Sequence, residues 1–474
     1  MSFWNRTKSF EAATTRSAHS ALKPTLSWVH LVGLGVGGIV GTGIMTLTGV
    51  GAGIAGPAVI LSFVIAGVVC AAAALAYAEM ATMIPMAGSA YTYTYVALGE
   101  LAAWIVGWTL ILEYTVVCSA VAVGWSGYAG GVIRSAGWPV PEALLNGPFA
   151  GGLVNVPAIV ISLAVAGLLA IGSRESATVN LILVAIKLVA LAIFVALALP
   201  AFDASNFQPF APFGYGSTEI AGGAKQGVMA AAAIIFFAFY GFDAVSTAAE
   251  ETKNPKRDLK IGIVGSMAVC TVLYLVVAAS ALGGARYQDL AGSAEPLALV
   301  LRGLNHPVGA TLIAAAAVIA LPTVIMAFMY GQSRIFFVMA RDGLLPQRLS
   351  VVNARSGTPV LMTFITSIIV ALIAAFVPLQ DIASVANAGT LIAFIAVAVC
   401  MMVTRRTHPQ HPRLFGPIAT WIIGIVAVLG CIYLFSSLQQ KTMISALIWN
   451  VVGLAIYLLW ARRRSLLEPA AKAT

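Results

Sequence analysis

The stretch Trp28 to Gly56 is apolar and long enough to cross a bilayer, yet it carries Gly41-Thr42-Gly43-Ile44 halfway along. Each glycine weakens a helix by about 1 kcal/mol, and two of them one residue apart leave backbone amides with no side chain over them. In hydrocarbon, freed amides and carbonyls must find partners. A helix broken at mid-membrane therefore implies something polar bound there, and we read the break as one half of a substrate site in a carrier.

Composition places the whole chain in the same setting. Of 474 residues, 60% are hydrophobic and 9% charged, and the mean hydropathy of +0.96 is that of a membrane protein rather than a soluble domain. Windows of about 20 apolar residues predict spans at 28–54, 57–83, 97–131, 153–172, 178–200, 226–250, 260–284, 308–340, 359–377, 382–403, 414–436 and 442–461. Twelve spans without sizeable extramembrane segments make one integral domain, 28–461, between an N-terminal segment 1–27 and a tail 462–474. The first segment is polar and basic with no short apolar core, so no cleaved signal peptide is expected.

Charge then orients the spans. With both termini cytoplasmic, twenty of the 26 Lys and Arg residues fall inside, among them Arg6, Lys8, Arg16, Lys253, Arg334, Arg341, Arg413 and Lys472. Five fall outside, Arg134, Lys225, Arg286, Arg302 and Lys441, and Lys187 is left within a span. That asymmetry obeys the positive-inside rule. The net charge of +9 thus reflects topology and anionic lipid, not nucleic acid.

Several residues stand out inside the spans. Gly33 to Gly38 formally matches a dinucleotide-binding glycine pattern but lacks the strand and acidic residue that pattern needs; close helix packing explains it better. Glu79 reads as a structural partner near the cytoplasmic end. Glu113 lies about sixteen residues into the third span, where a carboxylate is costly and is read by default as functional. Lys187 lies about nine residues, or about 14 Å, from the inner end of the fifth span. A central lysine costs about 2.5–3.5 kcal/mol on insertion scales, which makes it a candidate proton carrier. The five cysteines have no paired spacing and read as small buried hydrophobes. The histidines are terminal or in loops and form no metal or nucleophile constellation. Glu250 and Glu251 read as part of a solvated, lipid-adjacent cytoplasmic loop.

The sixth span repeats the pattern of the first. Phe237-Ala238-Phe239-Tyr240-Gly241-Phe242-Asp243 is apolar up to a central glycine, and Gly41 and Gly241 are 200 positions apart. The first five spans cover 28–200 and the next five 226–403. An odd number of spans per block gives the two blocks opposite orientation, and matching breaks in inverted halves point to a midplane site. The expected architecture is five plus five inverted, with accessory helices over 414–461.

Gly41-Thr-Gly-Ile, Tyr77-Ala-Glu79, Gly241-Phe-Asp-Ala-Val-Ser-Thr-Ala-Ala-Glu-Glu and Gln332-Ser-Arg-Ile-Phe-Phe-Val-Met-Ala-Arg-Asp-Gly-Leu-Leu together resemble the amino acid–polyamine–organocation superfamily, in particular its bacterial cationic amino acid transporter branch. The resemblance covers residues 25 to 460. It implies an all-α integral membrane protein of twelve transmembrane helices in the leucine-transporter fold, with helices 1 and 6 broken, working by alternating access in the plasma (inner) membrane. It implies that a substrate α-carboxylate sits on the amides of Thr42, Gly43 and Ile44 beside Gly41, as a half-helix N-terminus favours. The α-ammonium would be held by carbonyls of Ile39, Phe237, Ala238 and Tyr240. Lys187 falls where proton-coupled relatives replace a sodium site with lysine, so protons would be the coupling ion and no other cofactor is expected. Glu113 is the second coupling candidate. The pocket positions Leu321 to Thr323 include no acid, which favours small or medium neutral amino acids and leaves cationic ones as the alternative, with Phe242 as a gate or pocket wall.

Other classes remain open on sequence. An amino acid or amino acid/polyamine exchanger shares every motif, and so does a non-transporting amino acid sensor. A membrane-embedded enzyme would need metal ligands or a nucleophile–base pair inside the spans, and a channel would need a repeated filter loop; neither pattern is visible.

Overall fold

Proline and asparagine set where many of the helices begin. In the computed structural model, which describes residues 6–10, 22–135, 137–220, 225–293 and 295–466 (backbone alone at 135, 150, 173–175, 379–381, 383 and 384), Pro255, Pro307, Pro322 and Pro417 each occupy the first turn of a helix. That position needs no N–H. Asn155 caps another helix by accepting from the Ala158 amide at 3.1 Å. Of the residues named from the sequence, Arg16 and Lys472 lie outside the described residues, as does one of the five histidines, His19.

The elements that position the site are α1 (Trp28–Ile39), α2 (Thr42–Met45), α3 (Leu47–Ala55), α4 (Val59–Met83), α5 (Ala90–Ala97) and α6 (Glu100–Ser135). They continue with α7 (Val156–Ile171), α8 (Ser173–Ala198), α9 (Val228–Ile235), α10 (Asp243–Thr247) and α11 (Pro255–Gly284). The last six are α12 (Pro307–Ala320), α13 (Pro322–Arg341), α14 (Val360–Phe376), α15 (Leu379–Thr407), α16 (Pro417–Ser436) and α17 (Gln440–Leu459). Among the described residues, ten helical stretches are long and apolar enough to cross a membrane. The expected spans 153–172 and 359–377 appear as α7 and α14, apolar helices of 16 and 17 residues, just short of the about 20 that a typical span uses. Among the described residues the regular structure is helical apart from a two-residue antiparallel pair, Thr218–Glu219 with Lys225–Gln226, and an isolated parallel bridge between Leu26 and Thr252.

Burial sorts centre from periphery. The window within Val228–Thr247 is 89% buried and that within Gln440–Arg463 only 22%. The interrupted segment therefore lies at the heart of the bundle, while α16 and α17 turn most of their apolar surface outward. In the centre α11 packs on α1 and α4, and α13 packs on α6. Glycines 33, 35 and 37 of α1 meet Leu181, Ser266 and Asn180, so close approach of helices explains that run.

Five ion pairs join segments that the charge count assigns to one face: Arg6–Glu100 at 3.7 Å, Lys8–Asp342 at 2.7 Å, Arg413–Glu79 at 3.1 Å, Arg341–Glu250 at 2.8 Å and Arg334–Glu251 at 2.9 Å. Glu79 is a buried structural partner, as expected. Glu250 and Glu251 are not solvated loop residues: both are buried, because basic groups on α13 reach them. Arg334 grips Glu251 through two nitrogens and stacks its guanidinium 3.7 Å from the Tyr330 ring. The N-terminal strip joins the same region, with the Leu26 amide donating to Glu251 O and the Lys253 amide to Leu26 O, both at 2.9 Å.

Candidate functional site

Helix α1 ends at Ile39, and Gly41 turns away with φ −152° and ψ −139° before α2 begins. The Met45 amide bonds back to Gly41 O and the Thr46 amide to Thr42 O. Among the described residues the amides of Thr42, Gly43 and Ile44 have no acceptor. Such first-turn donors, with the helix dipole behind them, suit an anion.

The second break has a different shape. Helix α9 tightens into a 3-10 turn over Phe236–Ala238, and Gly241, at φ +127°, reverses the chain before α10. Only glycine takes that conformation without strain. The Gly241 amide is held by Asp243 Oδ1 at 3.0 Å.

The two breaks touch. A side chain on Gly43 would run into the backbone of Ala238, and one on Gly241 would lie 2.6 Å from the Gly38 carbonyl carbon and 2.9 Å from the Ile39 amide. Their bare peptide groups therefore meet inside the bundle. Phe237 and Tyr240 pack edge to face at 5.0 Å, and Tyr240 meets Phe328 at 5.9 Å. Among the described residues the Tyr240 hydroxyl has no partner. Thr42 and Phe237 are the most open of the predicted contacts, each 8% exposed.

Three predicted contacts sit differently from the simplest picture. The Ile39 carbonyl already accepts from the Tyr274 hydroxyl at 2.6 Å. Phe242 is buried in an aromatic cluster with Tyr77 and Phe394, at 5.7 and 5.1 Å. Leu321 forms the turn between α12 and α13, and it is the following residues that reach the first break: Val324 packs on Gly41 and Thr323 turns toward Lys187.

Lys187 projects from α8 onto the C-terminal end of α1. Its Nζ donates to Gly37 O at 2.9 Å, Val40 O at 2.5 Å and Thr323 Oγ1 at 2.7 Å. An ammonium has three donors, and all three are used. The orphan carbonyls of a helix C-terminus carry partial negative charge, so the α1 break creates a cation seat and the chain fills it with its own lysine.

Glu113 is fully buried. Its Oε1 accepts from Thr390 Oγ1 at 2.6 Å, and among the described residues Oε2 has no donor. The neighbouring Tyr114 donates to Asp243 Oδ2. Asp243 is the site residue that sequence reasoning passed over, although it stands two positions after the central glycine. Its carboxylate ties α6 to the second break. Among the described residues, no three His, Cys, Asp or Glu side chains gather as a metal site, and the five cysteines are free and buried.

A helical membrane bundle with two interrupted segments meeting at its centre, and an internal cation seated on one of them, defines a multi-pass membrane transport protein. Comparison gives the family: the model of the amino acid permease family matches residues 26–459, and the chain belongs to that family. It is 43% identical to the branched-chain amino acid permease BcaP of Bacillus subtilis (strain 168), over 95% of this chain and 96% of that one. It is 38% identical to the methylthioribose transporter of the same organism, over 99% and 100%. The vacuolar cationic amino acid transporter 4 of Arabidopsis thaliana is 36% identical over 82% of this chain and 64% of its own length.

Proposed function

We propose that the protein is a secondary active transporter that carries a neutral amino acid together with a proton by alternating access, in the plasma membrane with both termini cytoplasmic. The architecture we infer is twelve transmembrane helices in the leucine-transporter arrangement, repeat one over 28–200, repeat two over 226–403 and two accessory helices. The observation that carries the coupling is the seating of Lys187 Nζ on Gly37 O, Val40 O and Thr323 Oγ1. While protonated, the lysine supplies a donor to each of the three oxygens and a charge that suits a helix C-terminus; as a neutral amine it keeps two donors and loses the charge. Losing the proton therefore loosens its hold on α1, which links protonation to helix position.

In this reading the substrate carboxylate lies on the amides of Thr42, Gly43 and Ile44, and its ammonium lies on carbonyls of Phe237 and Ala238, with the second lone pair of Ile39 O also within the break. Val324, Phe237 and Tyr240 give the side chain an apolar wall, which favours an aliphatic residue such as leucine, isoleucine or valine. The likeness to a branched-chain permease supports the same class. An acidic side-chain pocket, which lysine or arginine would need, is not offered by these walls.

A second reading rests on the similarity to a methylthioribose transporter over nearly the whole chain. A thioether sugar would use the apolar wall but not the free amides. Uptake of labelled leucine into proteoliposomes, with and without an inward proton gradient, tests the first reading, and unlabelled methylthioribose as competitor tests the second. Gradient-driven leucine accumulation that methylthioribose leaves untouched supports the first. Uptake that follows sodium rather than protons, or no uptake, overturns it.

A further inference from the structure

The basic residues that follow Glu250 and Glu251 are placed unlike that pair. Lys253, Lys256 and Arg257 are exposed, and none joins an ion pair among the described residues. Two of them lie in the first turn of α11, whose 30 residues begin at Pro255 without a side-chain cap from Asn254. The carboxylate of that turn, Asp258, is 3% exposed and so turned away from solvent. Three like charges held beside the N-terminus of a long helix repel one another and favour an anion.

Two cavities open among them. One, of about 380 Å³, lies between Thr82 and Pro85 at the end of α4, Lys256, and His411, Arg413 and Leu414 of the α15–α16 connection. The other, of about 580 Å³, is lined by Pro85, Lys253, Asn254, Lys256 and Arg257. Pro85 and Lys256 border both, so the cavities adjoin, and among the described residues no carboxylate lines either one. Arg413 is a wall of the first, with its side chain 3% exposed. Its terminal nitrogens donate to Glu79 Oε1 and His408 O, each at 3.1 Å, while among the described residues Nε has no acceptor. A buried guanidinium with a donor unspent still calls for an acceptor. Arg413 and Glu79 cancel in charge, so Lys253, Lys256 and Arg257 set the field in both cavities.

Their place in the fold favours lipid over a soluble ion. Arg413 and Leu414 stand just before α16, and Arg406, at the end of α15, stacks 4.8 Å from the Trp421 ring in α16. Tryptophan near the end of a membrane helix marks the headgroup level. Around it α16 turns Ile418 and Ile422 outward, 77% and 58% exposed, as residues facing hydrocarbon do. Basic pockets between helices at this depth suit the headgroups of anionic lipids.

We infer that the adjoining cavities bind the phosphate headgroup of an anionic phospholipid from the leaflet on this face. Lys253, Lys256, Arg257 and the first turn of α11 hold the phosphate oxygens, and Leu414 borders the glycerol end. The bound lipid ties α4, α11 and the α15–α16 connection together. This holds whatever the substrate and whichever ion is coupled.

The test uses the full chain, freed of lipid in a neutral detergent. Native mass spectrometry counts the lipid retained as dioleoylphosphatidylglycerol or dioleoylphosphatidylcholine is added. Both carry a phosphodiester, but only the first is a net anion, and the protein should retain it the more tightly. Lys256→Gln with Arg257→Gln should weaken that retention about thirtyfold, or about 2 kcal/mol, as two cations near a membrane surface are worth. Arg348→Gln with Arg355→Gln removes the same charge from exposed positions on the same face and should change retention by less than about twofold, under 0.5 kcal/mol. Lys253→Gln, outside the helix, should weaken it about fivefold and repeats the test should the paired changes disturb α11. Equal losses in the two paired variants overturn the proposal, because they mark attraction to the whole face, and so does equal retention of the two lipids. Melting curves with inorganic phosphate form the second arm. A rise in the wild type that Lys256→Gln with Arg257→Gln abolishes would make free phosphate the occupant and overturn the lipid; no rise in either supports it.

Discussion

Replacing Lys187 by methionine separates its two roles, as a plug for a broken helix and as a proton carrier. The change keeps an unbranched apolar stem and removes three donors. Gly37 O can still take the one Thr323 hydroxyl proton at 3.1 Å, which Ala320 O at 2.7 Å shares. Val40 O alone loses its ammonium without a replacement, a cost of about 1–3 kcal/mol for one unsatisfied buried acceptor. Against this, removing a lysine from mid-membrane returns about 2.5–3.5 kcal/mol. The two nearly cancel, so Lys187→Met should fold and resist heat about as well as the wild type. Transport should respond very differently. With the outside one pH unit more acidic, one proton per substrate supports about tenfold leucine accumulation, because about 1.4 kcal/mol is a factor of ten. In the variant the internal and external leucine concentrations should become equal, while counterflow persists. The assay is labelled leucine uptake into proteoliposomes alongside a melting curve. A variant that still concentrates leucine tenfold refutes coupling at Lys187; one that melts early and neither binds nor exchanges leucine shows the lysine to be a structural plug only.

Gly43→Val places a side chain against the Ala238 backbone and over the free amides, so leucine binding measured by thermal shift should disappear; unchanged affinity would move the substrate elsewhere. Glu251→Gln leaves Arg334 buried without its counter-charge, a loss of about 3–5 kcal/mol, and should raise hydrogen exchange over 249–252 and 334–341, whereas an unaltered exchange pattern would show that the pair does not hold α13 to the second break. Phe10 stacks on His408 and packs at a tilt against His411, each at 4.3 Å. Partial burial, then His411 and Arg413, hold the His408 pKa below its ordinary value, so the folded form binds its proton later than the unfolded chain. The contribution to stability is then intact above about pH 6.5 and lost as pH falls toward the folded value, and His408→Phe should flatten the pH dependence of the melting temperature across that range; an equally steep profile would place the sensing group elsewhere.

Both helix breaks are legible in the sequence because glycine in an apolar run is a local signal whose cost in hydrocarbon is independent of the rest of the chain. Lys187 is legible for the same reason: a charge at that depth needs an explanation wherever it points. What it touches is not legible, since Gly37, Val40 and Thr323 become its neighbours only when α1 and α13 cross α8. The pairing of Glu250 and Glu251 with Arg341 and Arg334 is hidden for a related reason. An acidic pair followed by lysines looks like a solvated loop until α13 brings its arginines across. Asp243 is overlooked because its role, holding the Gly241 amide and receiving Tyr114, depends on one contact two residues away and another from a distant helix. The short helix Ala90–Ala97 escapes because its tyrosines and threonines give no long apolar window.

The seat at the end of α1 differs from an ion-binding site in one respect with wide reach. Its occupant is tethered to the polypeptide, so dilution, competing salts and mass action have no purchase on it. A carrier built this way would run unchanged in sodium-free surroundings, and the events able to empty the seat are chemical or mechanical: the nitrogen sheds its hydrogen, or the helices part.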